Sequence, residues 1–180
     1  SPYISRGVIS TKMVLHAMLA KGFQLEEIES LAKELCWRDY FQRVAQVKDV
    51  QEDLKFPQRD VLHDEIPSNI VSAETGIHGI DQAIRDLYTH GYMHNHARMY
   101  TASVVCNVAK SRWKLPSKWM YYHLLDGDFA SNACSWQWVA GSGADASPYF
   151  RIFNPITQGQ KFDADGRYVR RWVPELRGVP

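Results

Sequence analysis

The chain has 180 residues, of which 45% are hydrophobic and 23% charged, with a formal net charge of +1. That length and balance fit one globular domain with a real core and exclude a low-complexity chain. The near-zero charge argues neither for nor against a nucleic-acid partner, because a basic groove can be local and balanced by acids elsewhere.

Ser10 is a plausible N-cap for a helix through Lys21, stopped by Gly22. Leu25, Ile28, Leu31 and Leu35 recur at helical spacing, so the pattern predicts a long amphipathic helix over roughly 24–47. Residues 48–70 are polar, carry Pro57 and Pro67, and read as loop with a short turn. Ile77, Ile80, Ile84 and Leu87 mark another helix, ended by Gly91. A third strong helix is expected from His94 to Lys110, a fourth capped by Ser117 and running to Leu125, and a fifth over Ser131–Gly141. From Ser147 the chain is aromatic and irregular, with a final short helix near Gly166–Trp172. Strand signals are scarce, so the expectation is all-α, one domain over 1–180.

Three cysteines, Cys36, Cys106 and Cys134, are odd in number and widely spaced. They suggest neither a disulfide framework nor a zinc site, and a reducing, cytoplasmic setting is expected. No uninterrupted apolar run reaches the ~18 residues a membrane helix needs. No signal peptide is visible.

Several constellations carry chemistry. Glu34, Trp37 and Arg38 share one helical face, and so do Asn95, Arg98 and Met99. Each set reads either as packing with a surface ion pair or as a ligand pocket. A buried Arg98 would need an anion, and Asp126 and Asp128 are the nearest candidates. The same Asp-Gly-Asp also reads as a turn with solvated acids. His94 and His96 lie two apart, on different helix faces, and make no convincing metal pair. Trp136 and Trp138 are separated by about 200° of helical rotation, so their rings serve different surroundings.

Taken in order, Ser1-Pro2-Tyr3-Ile4, Glu34-Leu35-Cys36-Trp37-Arg38-Asp39-Tyr40, Thr75-Gly76-Ile77, Gly91–Met99, Leu125–Trp138 and Ser147–Pro155 resemble the flavin-binding domain of DNA photolyases and cryptochromes. The resemblance continues through Gln158–Asp163 to Trp172–Leu176 and covers nearly the whole chain. It implies a helical domain that holds FAD in a folded form, with the N-terminal antenna domain absent and the N-terminal edge of the flavin domain cut short.

Residue by residue, the resemblance implies that Asn95 contacts the cofactor and that Arg98 and Asp126 form a buried ion pair against the flavin ring. Asp128 would meet the flavin's pyrimidine edge, Asn132 would face flavin N5, and Ser1 would end the diphosphate loop. Glu34, Trp37, Met99 and Trp138 match a lesion pocket of the cyclobutane type, with Trp37 and Trp138 as aromatic walls. Met99 in place of a proton-handling His leans away from the (6-4) branch. Arg151 and Lys161 match positions that meet DNA phosphates. Trp136 and Trp113 match the inner and middle members of an electron-transfer chain. The outer Trp position falls near Asp60, so Trp119 or Tyr121 stands as a substitute. The function implied is light-driven repair of cyclobutane pyrimidine dimers in DNA, a deoxyribodipyrimidine photolyase activity. The alternatives are a cryptochrome-like photoreceptor that repairs nothing, and an FAD-free binding remnant.

Overall fold

A computed structural model describes residues 2–143. Ser1, Arg151, Lys161 and the helix expected near 166–172 lie outside the described residues. The elements are α1 (Pro2–Ser5), α2 (Thr11–Ala20), α3 (Glu29–Val47), α4 (Ser68–Val71), α5 (His78–His90), α6 (Asn95–Ser103), a π-helical turn (Val104–Val108), α7 (Lys114–His123) and α8 (Phe129–Ala140). Among the described residues there is no β-strand, only an isolated bridge between His63 and Ser111. The all-α expectation holds.

The core is built around α8. Ala130, Ala133, Cys134, Trp136, Val139 and Ala140 are all buried, so this helix is apolar around most of its circumference. α3, α6 and α7 pack on it. α5 adds a strict apolar stripe, with Ile80, Ile84 and Leu87 buried at helical spacing. One polar side chain sits inside α8: the Gln137 amide accepts from Leu54 N at 2.9 Å and donates to the Val50 carbonyl at 2.9 Å. It ties the loop after α3 to the core and satisfies two backbone groups that burial would otherwise leave unpaired.

Local chemistry explains where the boundaries fall. Ser10 does cap α2, its Oγ accepting from Met13 N at 3.1 Å. α3 begins at Glu29 rather than 24, because Gln24–Ile28 form turns in which the Glu27 carboxylate takes the Gln24 N–H at 2.7 Å. The helix expected through Lys110 stops being α-helical at Ser103. The β-branched Val104 and Val105 sit where the register widens, with Ala109 N bonded to the Val104 carbonyl at 2.8 Å. α7 starts at Lys114, three residues before the Ser117 expected to cap it. Pro116 occupies the first turn, where no N–H is needed, and Ser117 Oγ donates back to the Lys114 carbonyl.

Candidate functional site

The site is assembled where the α5–α6 turn meets the α7–α8 turn. Gly91 ends α5 with φ of 65°, a conformation costly for other residues, and an added Cβ there would collide with the Leu125 side chain. The Gly91 carbonyl also accepts from Leu125 N at 2.8 Å. Gly127 is buried between Tyr121 and Leu124, where a Cβ would lie 3.1 Å from both carbonyl oxygens. These two close approaches fix the Asp126-Gly127-Asp128 turn against the ends of α5 and α7.

Arg98 on α6 reaches that turn. Its Nη2 lies 2.8 and 2.9 Å from the two Asp126 oxygens, and its Nε donates to the Met93 carbonyl at 2.7 Å. The guanidinium also stands 5.5 Å from the centroid of the Tyr92 ring. The Asp126 side chain is 6% exposed and that of Arg98 24%. The pair expected from sequence therefore forms, with the acid inside and the cation at the mouth.

Asp128 is not a solvated turn acid. It is the N-cap of α8, accepting from Ser131 N at 3.0 Å, so the helix begins at Phe129 rather than at Ser131. The same carboxylate accepts from Arg38 Nη2 at 2.8 Å and from Gln42 Nε2 at 2.7 Å to each oxygen. It thus joins α3 to the start of α8. Its negative charge is felt further down α8 at Cys134, whose thiol is pushed up to about 12, first by burial and then by Asp128.

Asn132 lies one turn into α8, and its Nδ2 donates to the Ser117 carbonyl at 2.9 Å. A carbonyl can only accept, so this bond fixes which end of the amide points which way and leaves Oδ1 as the acceptor. Asn132 lines a narrow crevice together with Trp113, Ser117, Tyr121 and Phe129. Trp113 is buried and held at two points: its Nε1 donates to Asp53 at 2.7 Å and its backbone N–H donates to Gln58 Oε1 at 2.9 Å, while Gln58 Nε2 in turn donates to the Ser111 carbonyl. Trp136 is buried in the same core. Tyr121 and Trp113 share a crevice wall. Trp119 instead donates to the Tyr88 hydroxyl at 3.1 Å and packs edge-on against Tyr88 and His123.

The four expected pocket residues are spread over three helices. Trp37 on α3 is 54% exposed, meets Tyr40 edge-on and packs tilted against Phe41. It walls a groove of about 350 Å³ with Leu25, Ala32, Cys36 and Tyr40. Glu34 is exposed, while Met99 and Trp138 are half-buried on α6 and α8. Trp136 and Trp138 do face different surroundings, one deep and one near the surface. Asn95 is exposed at the start of α6.

Nothing in the sequence points to Gln42, Asp53 or Gln58, and Ser117, expected as a helix cap, instead gives its carbonyl to Asn132. Gln42 lies one turn after Arg38 on the same face of α3, but that spacing does not say which acid the face meets. Asp53 and Gln58 sit in the loop whose contacts with 111–113 no periodicity reveals.

A helical domain that presents an Arg–Asp pair, a capping acid and an oriented amide at one end is suited to hold the polar edge of a planar cofactor. The amide oxygen can accept from a ring N–H, and the guanidinium can stand beside a carbonyl or a developing negative charge. A family model described as the FAD binding domain of DNA photolyase matches residues 30–180, and the chain belongs to that family. It is 42% identical to a deoxyribodipyrimidine photo-lyase from Agrobacterium fabrum, over 98% of this chain and 38% of the relative. It is 35% identical to that of Escherichia coli, over 100% of this chain and 40% of the relative. Among solved structures it resembles a bacterial class III photolyase from Agrobacterium tumefaciens, with a TM-score of 0.76 at 41% identity, covering 98% of this chain and 38% of that one. It also resembles a cryptochrome from Synechocystis, with a TM-score of 0.77 at 29% identity, covering 100% of this chain and 39% of that one. The chain thus spans about two fifths of the length of these relatives. The cofactor of the family is FAD, and the donor set described above fits it.

Proposed function

We propose that this chain forms the FAD-holding part of a photolyase that repairs cyclobutane pyrimidine dimers in DNA. Two observations support the reading: the Arg98–Asp126 pair just before α8, and the Asn132 amide in the first turn of α8, whose Nδ2 is held by the Ser117 carbonyl so that Oδ1 is the acceptor. FAD, when bound, supplies light absorption and the electron that opens the dimer. Arg98 balances charge at the ring edge and is held in place by Asp126 and the Met93 carbonyl. Asn132, with Nδ2 held by the Ser117 carbonyl, would offer Oδ1 as an acceptor to a flavin ring N–H. Asn95 and Asp128 would complete the polar rim, and Ser1, outside the described residues, is proposed from the resemblance alone to contact the diphosphate.

Repair also needs a place for the lesion. A dimer stacks and pairs poorly, so turning it out of the duplex costs less than turning out normal bases. Trp37 and Trp138 would supply its aromatic walls, Glu34 a hydrogen bond to the pyrimidine edge and Met99 an apolar floor. The exposure of Trp37 supports this role, because an indole offered to a partner cannot also be sealed in the core. Arg151 and Lys161 would meet phosphates and add salt-dependent affinity. Trp136 and Trp113 would carry an electron toward the flavin, with Tyr121, which shares the crevice with Trp113, as a candidate third ring. A cytoplasmic setting agrees with the three free thiols of Cys36, Cys106 and Cys134. Among the described residues no helix is long and apolar enough to cross a membrane.

The test is a competition assay at fixed salt with FAD-loaded chain, damaged and undamaged duplexes, and the Trp138→Ala variant. A preference for the damaged duplex that weakens in the variant supports repair. Equal affinity for both duplexes favours a light sensor of the cryptochrome type.

A further inference from the structure

Asp128 carries more donors than a helix cap requires. Capping α8 needs only the bond from Ser131 N to Oδ1. Two further donors arrive from α3, some 90 residues earlier in the chain: Arg38 Nη2 at 2.8 Å from Oδ2, and Gln42 Nε2 at 2.7 Å from both oxygens. Arg38 and Gln42 are separated by one helical turn, so both project from one face of α3. An amide oxygen would repel the carboxylate, so contact with it fixes the Gln42 nitrogen inward.

We propose that Gln42, acting with Arg38, is a positioning residue that offsets the charge of Asp128 and thereby sets the reduction potential of the flavin held beside it. The inference rests on the flavin site proposed above. A half-buried site screens charge less than water does, so the net charge at the ring edge alters the cost of adding electrons to the flavin. Gln42 points two partial positive charges at the carboxylate. Removing them leaves more negative charge at that edge and lowers the potential. A carboxylate at position 42 lowers it further, and an ammonium there raises it. The raised thiol of Cys134 agrees, because the Asp128 charge is felt beyond its own hydrogen bonds.

The experiment measures the flavin midpoint potential by spectroelectrochemistry in the FAD-loaded chain. The variants are Gln42→Lys, Gln42→Met and Gln42→Glu, each compared with the parent. Arg43→Gln is the control, since Arg43 is exposed and pairs with Asp39. Circular dichroism and melting check that each variant folds. The expected order, from highest potential to lowest, is Lys, Gln, Met, Glu, with the control at the parent value. The step from Gln to Glu is expected to change the oxidised-to-reduced ratio at least tenfold, which is about 30 mV for a two-electron couple. Should Gln42→Glu fail to fold, the order of Lys, Gln and Met decides. Flavin retained with potentials not ordered by charge overturns this inference alone. A folded parent that holds no flavin overturns both the flavin site and this inference.

Discussion

Asp126→Ala isolates the ion pair on which the site turns. The substitution removes both acceptors at 2.8 and 2.9 Å from Arg98 Nη2 and leaves the Met93 carbonyl and the Tyr92 face as the partners described above for the guanidinium. Breaking a fully buried pair by deleting one partner costs about 3–5 kcal/mol. Arg98 is a quarter exposed, so water recovers part of that, and about 2–3 kcal/mol is the expected loss. At roughly 2–4 °C per kcal/mol for a chain of this size, melting falls by about 4–12 °C. Asp126→Asn keeps the shape and one acceptor but loses the charge, so its loss falls between the parent and Asp126→Ala. The assay is thermal unfolding followed by circular dichroism, run with and without FAD. A melting curve for Asp126→Ala that overlays the parent would refute the reasoning. Melting loss without any weakening of FAD retention would keep the ion pair and remove it from the cofactor site.

Trp136→Phe is expected to keep FAD bound and to slow light-driven flavin reduction by an external thiol; photoreduction at the parent rate would mean another donor route. Gln137→Met removes the amide that serves Leu54 N and the Val50 carbonyl, so urea unfolding is expected to show a loss of about 2–4 kcal/mol for two orphaned backbone groups. His123 is held below its ordinary value of 6.5 by burial. A lowered folded value favours the neutral ring, so its contribution is present above 6.5 and is lost as pH falls through the folded value. Melting of the parent is expected to drop with acidification from neutrality, and His123→Gln is expected to flatten that slope.

Much of this architecture is legible in the residues, and the limits have physical causes. The α5 stripe and its glycine stop are strong local signals, so Ile80, Ile84, Leu87 and Gly91 appear where the pattern puts them. α8 starts two residues before Ser131 because a cap is chosen by backbone geometry. Asp128 and Ser131 are both good caps, and only the extended backbone at Asp128 decides between them. The break after Ser103 is invisible to hydrophobic periodicity, since Val104 and Val105 continue the apolar pattern while widening the register. The Arg98–Asp126 pair was legible through the order of motifs, not through spacing along the chain. Gln42 was not, because nothing local says that an amide on α3 will find an acid 86 residues on. Asp53 and Gln58 share that blindness: they act on Trp113 across a loop.

The most direct test of the central claim is equilibrium dialysis of the purified chain against FAD, with absorption spectra of the retained material. The expected result is one flavin bound per chain, with bands sharpened relative to free FAD. Asn132→Ala is expected to perturb the spectrum and Asp126→Ala to weaken retention. A folded chain that retains no flavin, or retains it equally in both variants, would contradict the account.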